Sequence, residues 1–239
     1  MIKAPPTPKG FRDINPLLAR RRREVIGKIV DTLEEFEFVP IETPTIEFAD
    51  TLKGKYGEEE RLIYEFTDRG GRKLALRYDL TVPLARYVAT YNPPLPFRRY
   101  QIGQVFRGEN PQKGRFREFT QVDFDTVGSL DPKEDAKVIA TALKAARAIG
   151  LSGAVMFVND RRNFQGIPVE VVRVIDKIPK LGKEAAKKEL MDNGFSDNEC
   201  EEYFTKIQNS GPTKELQEIF KILETKYGLK QIDGPGETG

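Results

Sequence analysis

Across 239 residues the sequence contains no histidine and one cysteine, Cys200. Without histidine no Ser-His-Asp triad can be assembled, and a single thiol supports neither an internal disulfide framework nor a cysteine metal site within one chain, so zinc chemistry is excluded as well. Long apolar runs are missing too, all being well short of the roughly 20 residues that cross a bilayer. No membrane contact is expected. The stretch from Met1 to Gly10 carries lysines and prolines but none of the apolar core of a secretory signal, and a cytoplasmic protein is the expectation. Neither sign of charge dominates: 39 Lys and Arg against 37 Asp and Glu leave a net charge of +2, so the placement of charges matters more than their sum.

What is present is a soluble globular balance, 38% hydrophobic and 32% charged, on a chain long enough for one large domain or one with a smaller companion. Arg20 to Arg23 form an uninterrupted run that reads as the solvated face of a helix. A second cationic cluster, Arg98, Arg99, Arg107, Lys113, Arg115 and Arg117, falls within a short segment of alternating strand-like residues.

Residues 5 to 16 are proline-rich and extended, after which apolar positions at Val25, Ile29, Leu33 and Phe36 predict a helix over Leu17 to Phe36. Phe38 to Phe48 reads as strand, and Pro40 and Pro44, each lacking a ladder donor, place it at a sheet edge or subunit boundary. Asp68-Arg69-Gly70-Gly71 predicts a hairpin turn between Leu62–Phe66 and Arg72–Arg77. Two further strand-like segments, Arg99–Arg107 and Phe116–Asp125, are joined by a charged loop too long for a tight turn. Asp131-Pro132-Lys133-Glu134 supplies an N-cap, a proline at the first helical position and a capping-box glutamate for a helix ending near Gly150. An apolar run, Ala154 to Val158, follows. Residues 168 to 228 then turn helical, with Ser196 and Glu199 as a second capping box and Gly194 and Gly228 as stops. With no Gly-rich strand-to-helix phosphate loop, Rossmann and P-loop folds are disfavoured. The expected class is α+β, an antiparallel sheet flanked by helices with a helical insertion. The expected divisions are a core over residues 1–166, a helical module over 167–230 and a linker-like tail over 231–239.

The chemistry concentrates between Phe106 and Phe119. A guanidinium forks onto phosphate or carboxylate oxygens and stays charged at any working pH, so Arg107 and Arg115 suit a polyphosphate. Strand alternation would place Arg115, Arg117 and Phe119 on one face, with Gln121, Asp123 and Asp125 continuing it. A cationic face bearing an aromatic can take a purine, and the acidic continuation a cationic group. The alternative is a hairpin whose charges pair across strands. Upstream, Leu76-Arg77-Tyr78-Asp79-Leu80-Thr81-Val82-Pro83 offers an acid and a hydroxyl where strand gives way to helix; Asp79 or Thr81 could equally cap that helix.

Thr43-Pro44 after a long helix, then Leu76 to Pro83, then the hairpin from Arg107 to Gln121 together resemble the histidyl-tRNA synthetase family. The Pro44 region is similar to class II motif 1, a homodimer interface, and the hairpin to motif 2. Gln121 to Asp125, Asn159-Asp160-Arg161-Arg162 and Arg173 to Lys177 extend the likeness over roughly residues 8 to 190. The resemblance implies a class II aminoacyl-tRNA synthetase-like fold and an ATP-dependent ligase that makes histidyl-adenylate and passes histidine to tRNA(His). Arg107 would bind the α-phosphate of ATP and the carboxylate of histidine as the catalytic cation. Glu109 would lie near the adenine amino group, Arg115 near the terminal phosphates and Phe119 under the purine. Asp79, Thr81, Gln121 and Asp125, with Arg107, would hold histidine. Mg2+ would come with the ATP phosphates, and the lysine-rich residues 177 to 230 would contact the tRNA backbone. The family's Arg-Gly-Leu-Asp-Tyr-Tyr signature and motif 3 have no match here, so a fragment with impaired activity is expected. A rival resemblance, sharing the fold, is the non-catalytic synthetase-like regulatory subunit of ATP phosphoribosyltransferase.

Overall fold

Asn15 opens the first helix, its side chain accepting from Leu18 N at 2.9 Å with Pro16 at the first helical position. The helix, α1 (Pro16–Glu35), buries Leu33, and the chain then reverses through Phe36 and through Glu37 at φ 66°. Buried Phe38 meets Phe124 edge to face with ring centroids 5.3 Å apart. Of the arginine run, Arg20, Arg21 and Arg23 are exposed as expected, but Arg22 is partly buried and donates to Thr120 Oγ1 at 2.6 Å. The computed structural model describes residues 5–230, and the expected tail over 231–239 lies outside them. It divides into two compact units, Met1–Ala154 and Val155–Gly239.

In the first unit the segment expected as one strand over Phe38–Phe48 is two, β1 (Val39–Pro40) and β2 (Ile46–Phe48), which belong to different sheets. Both lie at edges, with Pro40 in β1 and Pro44 in the segment before β2. β1 runs parallel to β5 (Phe97–Phe106), and β5 pairs antiparallel with β6 (Glu118–Val127) over their full ten residues, from Phe97 opposite Val127 to Phe106 opposite Glu118. The second sheet has the order β2, β4 (Lys73–Leu76), β3 (Glu65–Thr67), all antiparallel. Its β3–β4 turn forms around Asp68, whose Oδ1 accepts from Gly70 N and Arg72 N. A short helix, α2 (Ala49–Leu52), and α3 (Thr81–Tyr91) pack near this sheet, and Arg86 of α3 pairs with buried Glu47 of β2 at 2.8 Å.

α4 (Pro132–Ala148) packs against α1 and begins at Asp131, which accepts from Lys133 N at 2.9 Å. The expected capping-box role of Glu134 is overturned. Its carboxylate turns instead to Arg98, accepting from Nε at 2.7 Å, and to Thr126, because a charge-assisted fork on the neighbouring ribbon outcompetes one backbone donor.

The second unit contains α5 (Val169–Ile175), α6 (Ile178–Leu181), α7 (Lys183–Asp192), α8 (Asp197–Gln208) and α9 (Lys214–Tyr227). Val171, Val174, Leu190, Cys200 and Phe204 form its core together with Ile167, with Phe164 packed against it. These two residues precede the first long helix, which is why the unit starts before residue 167. Val155, Met156 and Phe157 of the apolar run form no strand and are exposed. The Ser196–Glu199 capping box is fully formed, with Ser196 Oγ accepting from Glu199 N and Glu199 Oε2 from Ser196 N. Ser196→Ala is expected to destabilise this unit by about 1 kcal/mol. A urea midpoint unchanged from wild type would contradict that.

Candidate functional site

The ribbon's inner face is set by strand alternation. Arg99, Gln101, Gly103 and Val105 on β5 lie opposite Asp125, Asp123, Gln121 and Phe119 on β6. On the β5 side this face is covered. Arg77, just beyond β4, lays its guanidinium across Gly103, where a Cβ would meet Nη2 at 2.4 Å, and donates to Gln104 O at 2.7 Å and Thr43 O at 2.9 Å. Glycine is required there for close approach. The following residue, Tyr78, is thereby delivered to Arg107 at the end of β5.

Arg107 lies at the end of β5, its N–H donating to Arg117 O at 2.9 Å. The next residue, Gly108, donates to Leu62 O at 2.7 Å, and a Cβ there would stand 3.0 Å from that oxygen. The Arg107 guanidinium stands 4.5 Å from the Tyr78 ring centroid and 5.2 Å from that of Phe119, and Nε donates to Tyr78 O at 3.3 Å. Among the described residues it forms no ion pair. A partly buried cation between two aromatic faces, with its forked end uncommitted, is a receptor for an anion.

The loop after Arg107 departs from the expected alternation. β6 begins at Glu118, so Arg115 and Arg117 lie in loop and share no strand face with Phe119. Gln112 and Arg115 instead bridge across a turn at Lys113–Gly114. Arg117 is spent on structure, with Nε on Glu109 O at 2.9 Å and its N–H on Gly10 O at 2.8 Å. Arg12 stacks over Phe116 at 3.7 Å. Arg115 pairs with Glu109 at 3.2 Å, and with the Arg115 side chain 66% exposed this contact is worth at most about 1 kcal/mol. A ligand can displace it cheaply.

Of the two capping alternatives upstream, Asp79 is the one formed. Its Oδ1 accepts from Thr81 N at 3.1 Å and Val82 N at 3.0 Å, and from the Tyr56 hydroxyl at 3.0 Å. Oδ2 makes no hydrogen bond among the described residues, and neither does the exposed Thr81 hydroxyl. Capping and ligand binding are therefore compatible at Asp79, through different oxygens. Tyr56 packs on Tyr78 with centroids 4.7 Å apart, and Tyr78 donates to Glu59 at 2.7 Å. Burial first, then the charge and hydrogen bond of Asp79, drive the Tyr56 phenol far above its ordinary pKa. Burial and the Glu59 bond push Tyr78 up to about 12, with Arg107 opposing. Asp79→Ala is expected to cost about 1 kcal/mol through the lost cap. It should also let Tyr56 ionise at lower pH, read as tyrosinate absorbance against a Tyr56→Phe background. An alkaline titration of Tyr56 that does not move would refute this coupling.

Further along the face, Gln121 donates Nε2 to Asp123 Oδ1 at 3.4 Å while its Oε1 is buried without a partner. Asp125 pairs with Arg99, which is wholly buried. Desolvation raises the Asp125 pKa; Arg99 opposes and Asp123 adds to it. From Phe119 to Asp125 the face runs about 20 Å, at a strand's rise of about 3.3 Å per residue. It passes from an aromatic and cationic end to an acidic one. Arg107 thus joins Tyr78 to Phe119 at one end, Glu109 and Arg115 pair in the loop beyond it, Gln121 and Asp125 continue the face along β6, and Asp79 and Thr81 follow Tyr78 in the chain. Tyr56, Tyr78, Arg77 and Arg99 were not anticipated as site residues. Alternation along β5 could have put Arg99 on this face, but the pairing register that sets it against two aspartates is not a local signal. Among the described residues no group of three or more Cys, Asp or Glu side chains could hold a metal, and no helix is long and apolar enough to cross a membrane.

Residues 10–192 match the family model described as histidyl-tRNA synthetase. The chain is 43% identical over 228 residues to the histidine–tRNA ligase of Aeropyrum pernix, covering 90% of this chain and 52% of that protein. It is 40% identical over 230 residues to that of Korarchaeum cryptofilum, covering 91% and 54%. The chain thus spans about half the length of the curated relatives it matches. Among solved structures, the histidyl-tRNA synthetase from Nostoc sp. superimposes with a TM-score of 0.74 at 28% identity, over 94% of this chain and 53% of that one. An ATP phosphoribosyltransferase regulatory subunit/histidyl-tRNA synthetase from Bacillus halodurans gives 0.73 at 20% identity, over 93% and 65%, a likeness of fold alone.

Proposed function

Because the chain belongs to the histidyl-tRNA synthetase family, we propose that the β5–β6 face and the Tyr78–Thr81 corner form part of a site that joins ATP and histidine as histidyl-adenylate, for transfer to tRNA(His). The observation that carries this reading is the Arg107 guanidinium held between Tyr78 and Phe119 with no ion-pair partner among the described residues. Histidine's carboxylate attacks the α-phosphorus of ATP, the bond to the bridging oxygen breaks and pyrophosphate leaves. Arg107 gathers the two mutually repelling anions and neutralises charge that builds between them, so its contribution is positioning and electrostatic. Phe119 lies under the purine, Glu109 accepts from the adenine amino group and Arg115 meets the terminal phosphates once their exposed pair separates. Mg2+, carried by the nucleotide's phosphates rather than by a carboxylate cluster among the described residues, would supply neutralising charge for the pyrophosphate.

The acidic end takes the amino acid. Gln121 Oε1 and Asp125 receive its ammonium, while Asp79 Oδ2 and Thr81 face its side chain. The helical unit corresponds to an insertion that follows the tRNA backbone. Lys177, Lys183 and Lys187 are engaged with acids, but Lys188, Lys214 and Lys221 are exposed and form no ion pair among the described residues. Val39, Ile46 and Phe48 leave apolar side chains on the surface around Pro44, which suits a homodimer interface in the cytoplasm.

The test is calorimetric titration of the 239-residue chain with Mg-ATP, with histidine and with a non-hydrolysable histidyl-adenylate analogue. The analogue is expected to bind most tightly because it spans both ends of the face. Failure of all three to bind would sink this reading.

A further inference from the structure

Arg99 is the largest wholly buried side chain in the described structure, and its surroundings are unusual for a structural cation. Its Nη2 donates at 2.6 Å to Asp123 Oδ2 and at 2.6 Å to Asp125 Oδ2, and its Nη1 donates to Asp123 O at 3.0 Å. Nε has no partner. A buried guanidinium needs one carboxylate for neutrality. Two carboxylates against one guanidinium leave one negative charge in surplus, on a face whose next acceptor, Gln121 Oε1, is buried and unpartnered. Gln121 in turn is oriented through its Nε2 contact with Asp123 Oδ1 at 3.4 Å. Arg99 thus holds Asp125 directly and Gln121 by way of Asp123 on one face of β6, and each of the two keeps an oxygen without a partner. Asp125 Oδ1, the oxygen Arg99 does not hold, makes no hydrogen bond among the described residues.

We propose that Arg99 is a positioning residue for the amino-acid end of this site: it clamps one oxygen of Asp125 and, through Asp123, the amide of Gln121, so that their remaining oxygens form a singly negative receptor for the ligand's ammonium group. The inference rests on the adenylate-forming reading above and deepens it. Arg99 does not touch the ligand; it acts through Asp125 and, by way of Asp123, through Gln121. Without the clamp the acidic end would carry two uncompensated carboxylates, and Asp125, already raised by burial, would lose the one charge that opposes protonation. The charged groups acting on Asp125 are Arg99 from β5 and Asp123 from its own strand. Lysine in place of Arg99 keeps a charge but loses the planar group that meets both carboxylates through Nη2 and the Asp123 carbonyl through Nη1.

The experiment is a double-mutant cycle in the 239-residue chain, with Arg99→Lys, Asp125→Asn and the combination. Affinity for histidine and for the histidyl-adenylate analogue is measured by calorimetry, and the Asp125 carboxyl is titrated by carbon-13 NMR. Arg99→Lys is expected to weaken binding roughly tenfold or more and to move the Asp125 titration to higher pH. Added to Asp125→Asn it should weaken binding distinctly less than it does alone, because its direct route runs through Asp125 and only the one by way of Asp123 remains. Additive losses, or an Asp125 titration that stays where it is in Arg99→Lys, would overturn the proposal. If the wild type binds neither ligand, the adenylate reading fails by itself, and the titration alone then decides whether Arg99 governs Asp125. Should Arg99→Lys not fold, Asp123→Asn takes its place: Asp125 should then titrate lower, having lost a like charge while Arg99 remains, and an unchanged titration would equally overturn the proposal.

Discussion

Arg107→Ala is expected to weaken binding of the histidyl-adenylate analogue by at least about a hundredfold. Its guanidinium is the only one of the site's cations that is fixed by two aromatic faces and engaged by no carboxylate among the described residues. An anion placed there gains charge-assisted hydrogen bonds worth about 1.5–3 kcal/mol each, and two such bonds correspond to roughly two to four decades in affinity. The cost to folding should be small, within about 1 kcal/mol, since the side chain gives up one long hydrogen bond to Tyr78 O and its ring contacts. Arg107→Lys should fall between, keeping the charge and losing the fork. Histidine without ATP should suffer less than the analogue, because only the analogue presents the phosphoryl group. Calorimetry on variants whose urea midpoints match wild type makes the test, and analogue affinity preserved in Arg107→Ala would remove the basis for an adenylate-forming site.

Local chemistry made much of the fold legible. Asp131-Pro132 starts α4 and Ser196–Glu199 starts α8 because capping needs only neighbours, and Asp68 closes the β3–β4 turn with bonds to Gly70 and Arg72. Pro40 and Pro44 pointed to sheet edges for the same reason. That one predicted strand would divide between two sheets was hidden, because Val39 finds Arg99 and Ile46 finds Leu76 across long stretches of chain. Glu134 and Arg22 illustrate the same limit: each has a plausible local or solvated role, and each is claimed by a partner far along the chain, Arg98 and Thr120. In the site, Phe119, Gln121 and Asp125 stood out because charge and alternation coincide on β6, and Arg107 because it is a fixed cation at the end of β5. Arg115 and Arg117 looked equivalent to them, and the difference is where β6 begins, at Glu118, with Arg117 drawn to the backbone of Lys9 and Gly10. Tyr56 gave no signal at all, since only the tertiary fold brings its hydroxyl to Asp79.

Arg77 is where fold and site are joined, and Arg77→Met is expected to cost about 2–4 kcal/mol. The residue follows β4 directly, and its buried side chain bonds to backbone oxygens of Thr43 and Gln104. Its own N–H donates to Thr45 O at 3.0 Å and its carbonyl accepts from Phe106 N at 3.0 Å. Burial pulls its pKa below the ordinary guanidinium value, with Glu47 opposing, yet it remains a cation whose loss strands two carbonyls at about 1–3 kcal/mol each. Methionine fills similar space, so the cost should be polar rather than a cavity. Because Tyr78 and Asp79 follow in sequence, analogue binding should weaken as well, which a purely structural lesion elsewhere in the sheet would not cause. Gly103→Ala probes the same contact from the other side: its Cβ would stand 2.4 Å from Arg77 Nη2, so it should destabilise the wild type. In the Arg77→Met background the obstructing guanidinium is gone, and the same substitution should cost distinctly less. Urea unfolding of the four chains reads the cycle, and strict additivity would mean that Arg77 does not occupy the space over Gly103 that the geometry assigns to it.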